Sequence, residues 1–95
     1  MYFIEASKNY QKSYKKLKAS GKLKETTEKE LKAVINTLAQ GERLAIQYKD
    51  HQLTGDLKAY RECHVQGNLL LVYEIIKGKL VLVLVDIGSH SYLFG

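Results

Sequence analysis

Apolar positions follow two different rhythms along this chain, and the change comes near residue 57. Before it they recur at helical spacing. Tyr10, Tyr14 and Leu17 stand at i, i+4 and i+7, and Leu31, Val34, Ile35 and Leu38 at i, i+3, i+4 and i+7. Each set marks one face of an amphipathic helix, and the two facing stripes predict a helical hairpin. Ser7 is a suitable N-cap for the first helix, with Gly21 as its left-handed stop; Gly41 ends the second. Thr27 and Glu30 match a capping box and predict that the second helix starts there. The pairs Glu25–Lys29 and Glu28–Lys32 would form only if it started earlier. Ahead of both helices, the aromatic and β-branched run Tyr2–Ala6 predicts a short strand.

After residue 57 the rhythm is that of strands: Leu57–Val65, Leu69–Ile76 and Lys79–Ile87. Gln66-Gly67-Asn68 and a tight Lys77-Gly78 turn join them, so the three form an antiparallel meander. Residues 42–56 read as a long loop, with Asp50, Thr54, Gly55 and Asp56 as turn formers. The order β-α-α-β-β-β predicts an α+β fold in which a two-helix hairpin packs on one face of an antiparallel sheet. The last two strands are apolar on both faces, which predicts a protein partner for the face the helices leave open. With 95 residues and no proline, the chain reads as one domain, residues 1–95. No apolar run reaches the roughly 18 residues of a membrane span.

Chemistry enters with Tyr60-Arg61-Glu62-Cys63-His64-Val65. In a strand Tyr60, Glu62 and His64 share one face, and Arg61, Cys63 and Val65 the other. A carboxylate and an imidazole side by side form a candidate acid/base pair. His51 and His90 lie outside the regular elements on either side. Cys63 and His64 point to opposite faces, and no two potential ligands stand at a chelating spacing, so no metal is expected. There is no phosphate-binding glycine loop, and no cofactor is expected. The lone Cys63 suits a reducing, cytoplasmic compartment. RNA cleavage by transesterification requires only a base for the ribose 2′-OH, an acid for the leaving 5′ oxygen, and cations for the phosphate.

Charge sharpens this picture. The net charge of +5 lies wholly in residues 1–41, which hold nine lysines and four glutamates; the remainder is balanced. Lys8, Lys12, Lys15, Lys16 and Lys18 share the first helix with no acid among them, an arc that faces either water or phosphates.

Four segments carry a family likeness. Tyr48-Lys49-Asp50-His51-Gln52-Leu53-Thr54-Gly55, Tyr60 to Val65, Leu71-Val72-Tyr73, and Gly88-Ser89-His90-Ser91-Tyr92-Leu93-Phe94-Gly95 resemble the YafQ branch of the RelE/ParE toxin superfamily. The resemblance implies a bacterial type II toxin that cuts mRNA in the ribosomal A site without metal. It implies a cognate antitoxin that wraps the toxin, with operator DNA bound only through their complex. The family's catalytic positions fall on His51, Glu62, His64, Asn68, His90 and Phe94. His51, Glu62, His64 and His90 are then the acid/base set, and Asn68 and Phe94 contact substrate. Glu62 stands where an aspartate is more familiar, and Asn68 where an aspartate can occur. Asn68 also has a plainer reading as a turn residue. Arg61 matches a family arginine. Strand parity sets it behind Glu62, so it either reaches substrate or pairs an acid on the far face. Lys8, Lys12, Lys15 and Lys16 are the expected ribosome contacts. Two rival classes remain: a ParE-like poison of DNA gyrase and a protein-interaction module. Neither has need of an acid/base set.

Overall fold

The first strand, β1 (Phe3–Ala6), pairs in parallel with β5 (Val81–Gly88), which lies far along the sequence. A parallel pairing requires a crossover, and α1 (Lys8–Ala19) and α2 (Glu25–Ala39) supply it. The structure, a computed structural model, describes all of residues 1–95. Its other strands are β2 (His51–Gln52), β3 (Arg61–Gln66) and β4 (Leu69–Ile76). The sheet order is β1-β5-β4-β3-β2, antiparallel everywhere except at β1. This is the expected α+β architecture with three refinements: the parallel edge strand, the two-residue β2 inside the expected loop, and a third helix, α3 (His90–Phe94).

Helix α1 begins as its sequence predicts. The Ser7 side chain accepts the Tyr10 N–H and donates to the Val85 carbonyl at 2.6 Å, so one hydroxyl caps the helix and ties it to the sheet. Both helices close at the expected glycines, Gly21 and Gly41, whose φ angles are +74° and +79°. Helix α2 starts at Glu25, two residues before Thr27 of the capping box. The box residue that would join it into the interior is engaged elsewhere: Tyr48 donates its hydroxyl to Glu30. Glu28 likewise binds Tyr14 and Lys18 of α1, clamping the hairpin, and not Lys32.

The core lies between the helices and one sheet face. Leu31, Val34 and Leu38 of α2 and Tyr10 of α1 meet Cys63, Val65, Leu71, Tyr73, Leu82, Leu84 and Ile87. Each fully buried aliphatic side chain contributes about 2 kcal/mol of transfer free energy. Strand β5 keeps this face through a bulge: Leu84 opposes Tyr73 and Ile87 opposes Leu71, although two residues lie between Leu84 and Ile87 and only one between Leu71 and Tyr73. Other boundaries shift from expectation. Gly55–Leu57 coils into a 3-10 turn whose Leu57 carbonyl accepts the Tyr60 N–H, so β3 starts only at Arg61 and Tyr60 lies outside it. Residues Lys77–Lys79 form a 3-10 turn instead of a two-residue hairpin, with Leu80 left-handed. No helix is long and apolar enough to cross a membrane.

Three buried groups give the fold an alkaline limit. Burial pushes the Cys63 thiol up to about 12, helped by Asp50 and Glu62. Burial, then Tyr14 and Glu28, raise Tyr10 to about 12. Burial and the hydrogen bond to Asp50 raise Tyr73 further. All three stay neutral when folded but ionise in the unfolded chain near their ordinary values, roughly pH 8.5–10. The stability they contribute is complete below that range and is lost as pH climbs towards the folded values. Tm is therefore expected to fall steadily above about pH 9, and Cys63→Ala to soften the first part of the fall. Melting curves that stay flat to pH 11 would contradict this.

Candidate active site

Antiparallel partners share a sheet face, and the pairing of His51 with Glu62, and of Glu62 with Val72, builds one functional face. It is the face turned away from α1 and α2. His64 pairs with Leu70 on the same side. Glu62 is 5% exposed, and its Oε1 lies 3.8 Å from His51 Nε2 and 3.9 Å from His64 Nε2. A buried carboxylate thus sits between two imidazoles, close enough to stabilise either one when it is protonated.

His51 is oriented by its own loop. Its Nδ1 lies 2.8 Å from the Lys49 carbonyl, which can only accept, so Nδ1 carries a proton and Nε2 is the nitrogen turned to Glu62. Lys49 adopts a left-handed φ of +50°, a conformation costing a non-glycine residue roughly 1 kcal/mol or more. That strain is spent next to the site.

A cleft of about 330 Å³ opens beside this pair, lined by Glu62, His64, Asn68, Leu70, Ser89 and His90 among others. Asn68 reaches it from the turn joining β3 to β4. His90 reaches it as the first residue of α3, whose N-cap Ser89 accepts the Tyr92 N–H at 3.2 Å. Phe94, one turn on, packs against His90 with ring centroids 5.3 Å apart and remains 37% exposed. The fold therefore gathers His51, Glu62, His64, Asn68, His90 and Phe94 from four separate segments. Such a set offers three imidazoles, a buried carboxylate, an amide and an aromatic face.

Arg61 departs from the substrate-contact expectation. It turns to the opposite side, where Nη2 donates to Asp50 Oδ2 at 3.2 Å and Nε approaches Asp50 Oδ1 at 3.4 Å. The Tyr73 hydroxyl donates to the same carboxylate. Strand alternation is the reason: neighbours of Glu62 in β3 cannot share its face. These groups line a hollow of about 620 Å³ with Glu42, Arg43, Lys49 and Lys77, and within it Asp50 is engaged by Arg61 and Tyr73. Sequence reasoning took Asp50 for a turn residue and gave Tyr73 no role. The signal was the apolar strand around Tyr73, which leaves a buried hydroxyl in need of an acceptor.

A family model described as a bacterial toxin of type II toxin-antitoxin system, YafQ, matches residues 2–95. The chain belongs to the YafQ toxin family. Among solved structures it is similar to a metal-bound toxin from Helicobacter pylori, 47% identical over 99% of this chain and all of that one, with a TM-score of 0.85. It is similar to YafQ from Escherichia coli, 28% identical over the whole of both chains, again with a TM-score of 0.85. E. coli YafQ is also known in complex with DinJ, a toxin–antitoxin complex. In sequence, the chain is 40% identical over 48 residues to a protein of E. coli named mRNA interferase toxin YafQ. A shorter match, 52% over 29 residues, is to a YafQ-named protein of Haemophilus influenzae. The matched stretches span 50% and 28% of those two relatives. Two H. pylori neighbours are metal-bound, one of them with copper; in this YafQ-family chain no three His, Cys, Asp or Glu side chains gather so as to hold a metal ion.

Proposed function

We propose that this toxin cuts mRNA on the ribosome by acid/base transesterification, with His64 and His90 exchanging the protons. The cleft that both histidines line, with Glu62 and Asn68, is the observation that carries the reading. One histidine removes the proton of the ribose 2′-OH, whose oxygen attacks the phosphorus. The other protonates the departing 5′ oxygen, leaving a 2′,3′-cyclic phosphate on the upstream fragment. Glu62 and His51 orient and polarise these groups, Phe94 offers a face for a base, and Asn68 hydrogen-bonds the substrate. Every role falls to a side chain, so no metal or cofactor is required. Induction in bacteria followed by mapping of new mRNA 5′ ends tests this. Cuts in reading frame are expected; intact mRNA with damaged chromosomes would point to the gyrase-directed class instead.

The partners are a cognate antitoxin, the ribosome and mRNA. The DinJ–YafQ complex of E. coli supports the first. Lys8, Lys12, Lys15 and Lys16 are all exposed, and the last three line a hollow of about 620 Å³ beside Tyr92 of α3. This basic surface lies next to the helix that carries His90 and suits ribosomal phosphates. Diffuse contacts of this kind weaken steeply with salt. Single Lys→Ala changes are expected to matter little, whereas replacing all four should weaken ribosome association, most visibly at raised salt. Binding by the fourfold variant that matches wild type across a salt series would reduce the arc to a solvated face.

Asn68 allows a finer test. Asn68→Asp keeps the turn but sets a charge beside the imidazoles, which favours their protonated forms. A modest change in rate is expected, with the pH profile displaced upwards. An unchanged rate and profile would leave Asn68 a turn residue only.

A further inference from the structure

Helix α3 has five residues, too few to hold together unaided. Yet it carries His90 to the cleft, so something outside it must hold it in place. Tyr92, two residues after His90, has such contacts. Its hydroxyl lies 3.0 Å from Ser13 Oγ in α1, and Ser13 donates to Asp86 Oδ1 at 2.6 Å. A serine hydroxyl has one proton, and Ser13 gives it to Asp86, so Tyr92 is the donor to Ser13. The same Asp86 oxygen accepts the Ile87 N–H at 2.8 Å, which fixes the carboxylate. Ser13 is 3% exposed on a helix otherwise covered in lysines, and it is a buried polar residue that the acid/base set does not use.

Two further features converge on the same ring. A Cβ added at Gly88 would lie 2.6 Å from Tyr92 Cδ2 and 3.3 Å from Cγ, so only glycine leaves room for the ring here. Strand β1 pairs with β5 only as far as Leu84, which leaves the end of β5 as a free edge, and α3 follows directly from it.

We propose that Ser13, Asp86 and Gly88 are positioning residues that seat Tyr92 and thereby hold α3, with His90, at the cleft. The proposal rests on the acid/base reading above for its effect on rate. Tyr92→Ala and Gly88→Ala should each lower kcat for ribosome-programmed cleavage about tenfold, as a displaced catalytic group does, with KM little changed. Tyr92→Phe, which keeps the ring and loses one hydrogen bond, should cost less. The double variant Gly88→Ala/Tyr92→Ala should be no slower than Tyr92→Ala, because the added methyl then has no ring to displace. Imidazole NMR signals provide a readout independent of cleavage: the His90 resonances should move in Gly88→Ala while those of His51 stay.

Additive losses in the double variant, or unmoved His90 resonances in both single variants, would overturn the positioning role. So would wild-type rates in both single variants when His90→Ala is impaired. If His90→Ala itself cleaves normally, the acid/base reading falls, and the resonances alone decide the positioning.

Discussion

Replacing His64 or His90 with alanine is expected to lower mRNA cleavage by roughly 10²- to 10⁴-fold each, the usual contribution of one acid/base group. Ribosome binding should persist in both variants, because the lysine surface on α1 is untouched. Both histidines line the same cleft, one from a sheet strand and the other from a short helix. The double variant should lose less than the product of the single losses, since a proton relay with one member missing is already broken. Glu62→Gln tests the same arrangement from behind. Its Oε1 lies within 4 Å of two imidazole nitrogens, so removing its charge should slow cleavage. Cleavage and growth arrest at wild-type levels in both alanine variants would sink the assignment.

The second large effect concerns stability. Asp50→Ala is expected to destabilise the fold by about 2 kcal/mol, lowering Tm by roughly 8–16 °C in a domain of this size. Asp50 accepts from Arg61 and from Tyr73, whose side chain is 1% exposed. Without the carboxylate the Tyr73 hydroxyl is left buried and unpaired, which is the costly part. The ion pair with Arg61 adds less, because the Arg61 side chain is 38% exposed and solvent screens it. Tyr73→Phe removes the stranded hydroxyl, so in the Asp50→Ala background it should recover part of the loss. A Tm change below a few degrees for Asp50→Ala would show that water replaces the carboxylate at no cost.

The acid/base face was readable in the sequence wherever strand geometry alone decides it. Glu62 and His64 are two residues apart in one strand, and alternation is enough to put them together. The same rule set Arg61 on the other side. What a local pattern does not contain is the partner of a short segment. Strand β2 is two residues long, and its pairing depends on closing the loop through the Leu53 N–H to the Tyr60 carbonyl and the Gln52 side chain to the Lys58 carbonyl. No periodicity of His51-Gln52 announces that. Helix α3 escaped for the same reason: five residues carry no repeat, although Ser89 is an ordinary N-cap. The parallel placement of β1 was equally hidden, because an aromatic and β-branched run marks a strand and not what it lies beside. For His51, Asn68, His90 and Phe94 it was the family resemblance, and not periodicity, that named the positions.

The pairing of β1 with β5 also sets an order on the making of the molecule. A growing chain emerges N-terminus first, so β1, α1 and α2 appear while the strand that β1 needs is still unmade. The two helices then have no sheet to cover, and the sheet cannot close at its first edge. Only when β5 is synthesised can it join β1 on one side and β4 on the other, and only after it comes His90. The cleft therefore comes into being in a single late step of synthesis. For a toxin this has a practical meaning: for most of its synthesis the polypeptide holds no complete set of the proposed proton-transferring groups, and the order of the elements themselves delays its harm.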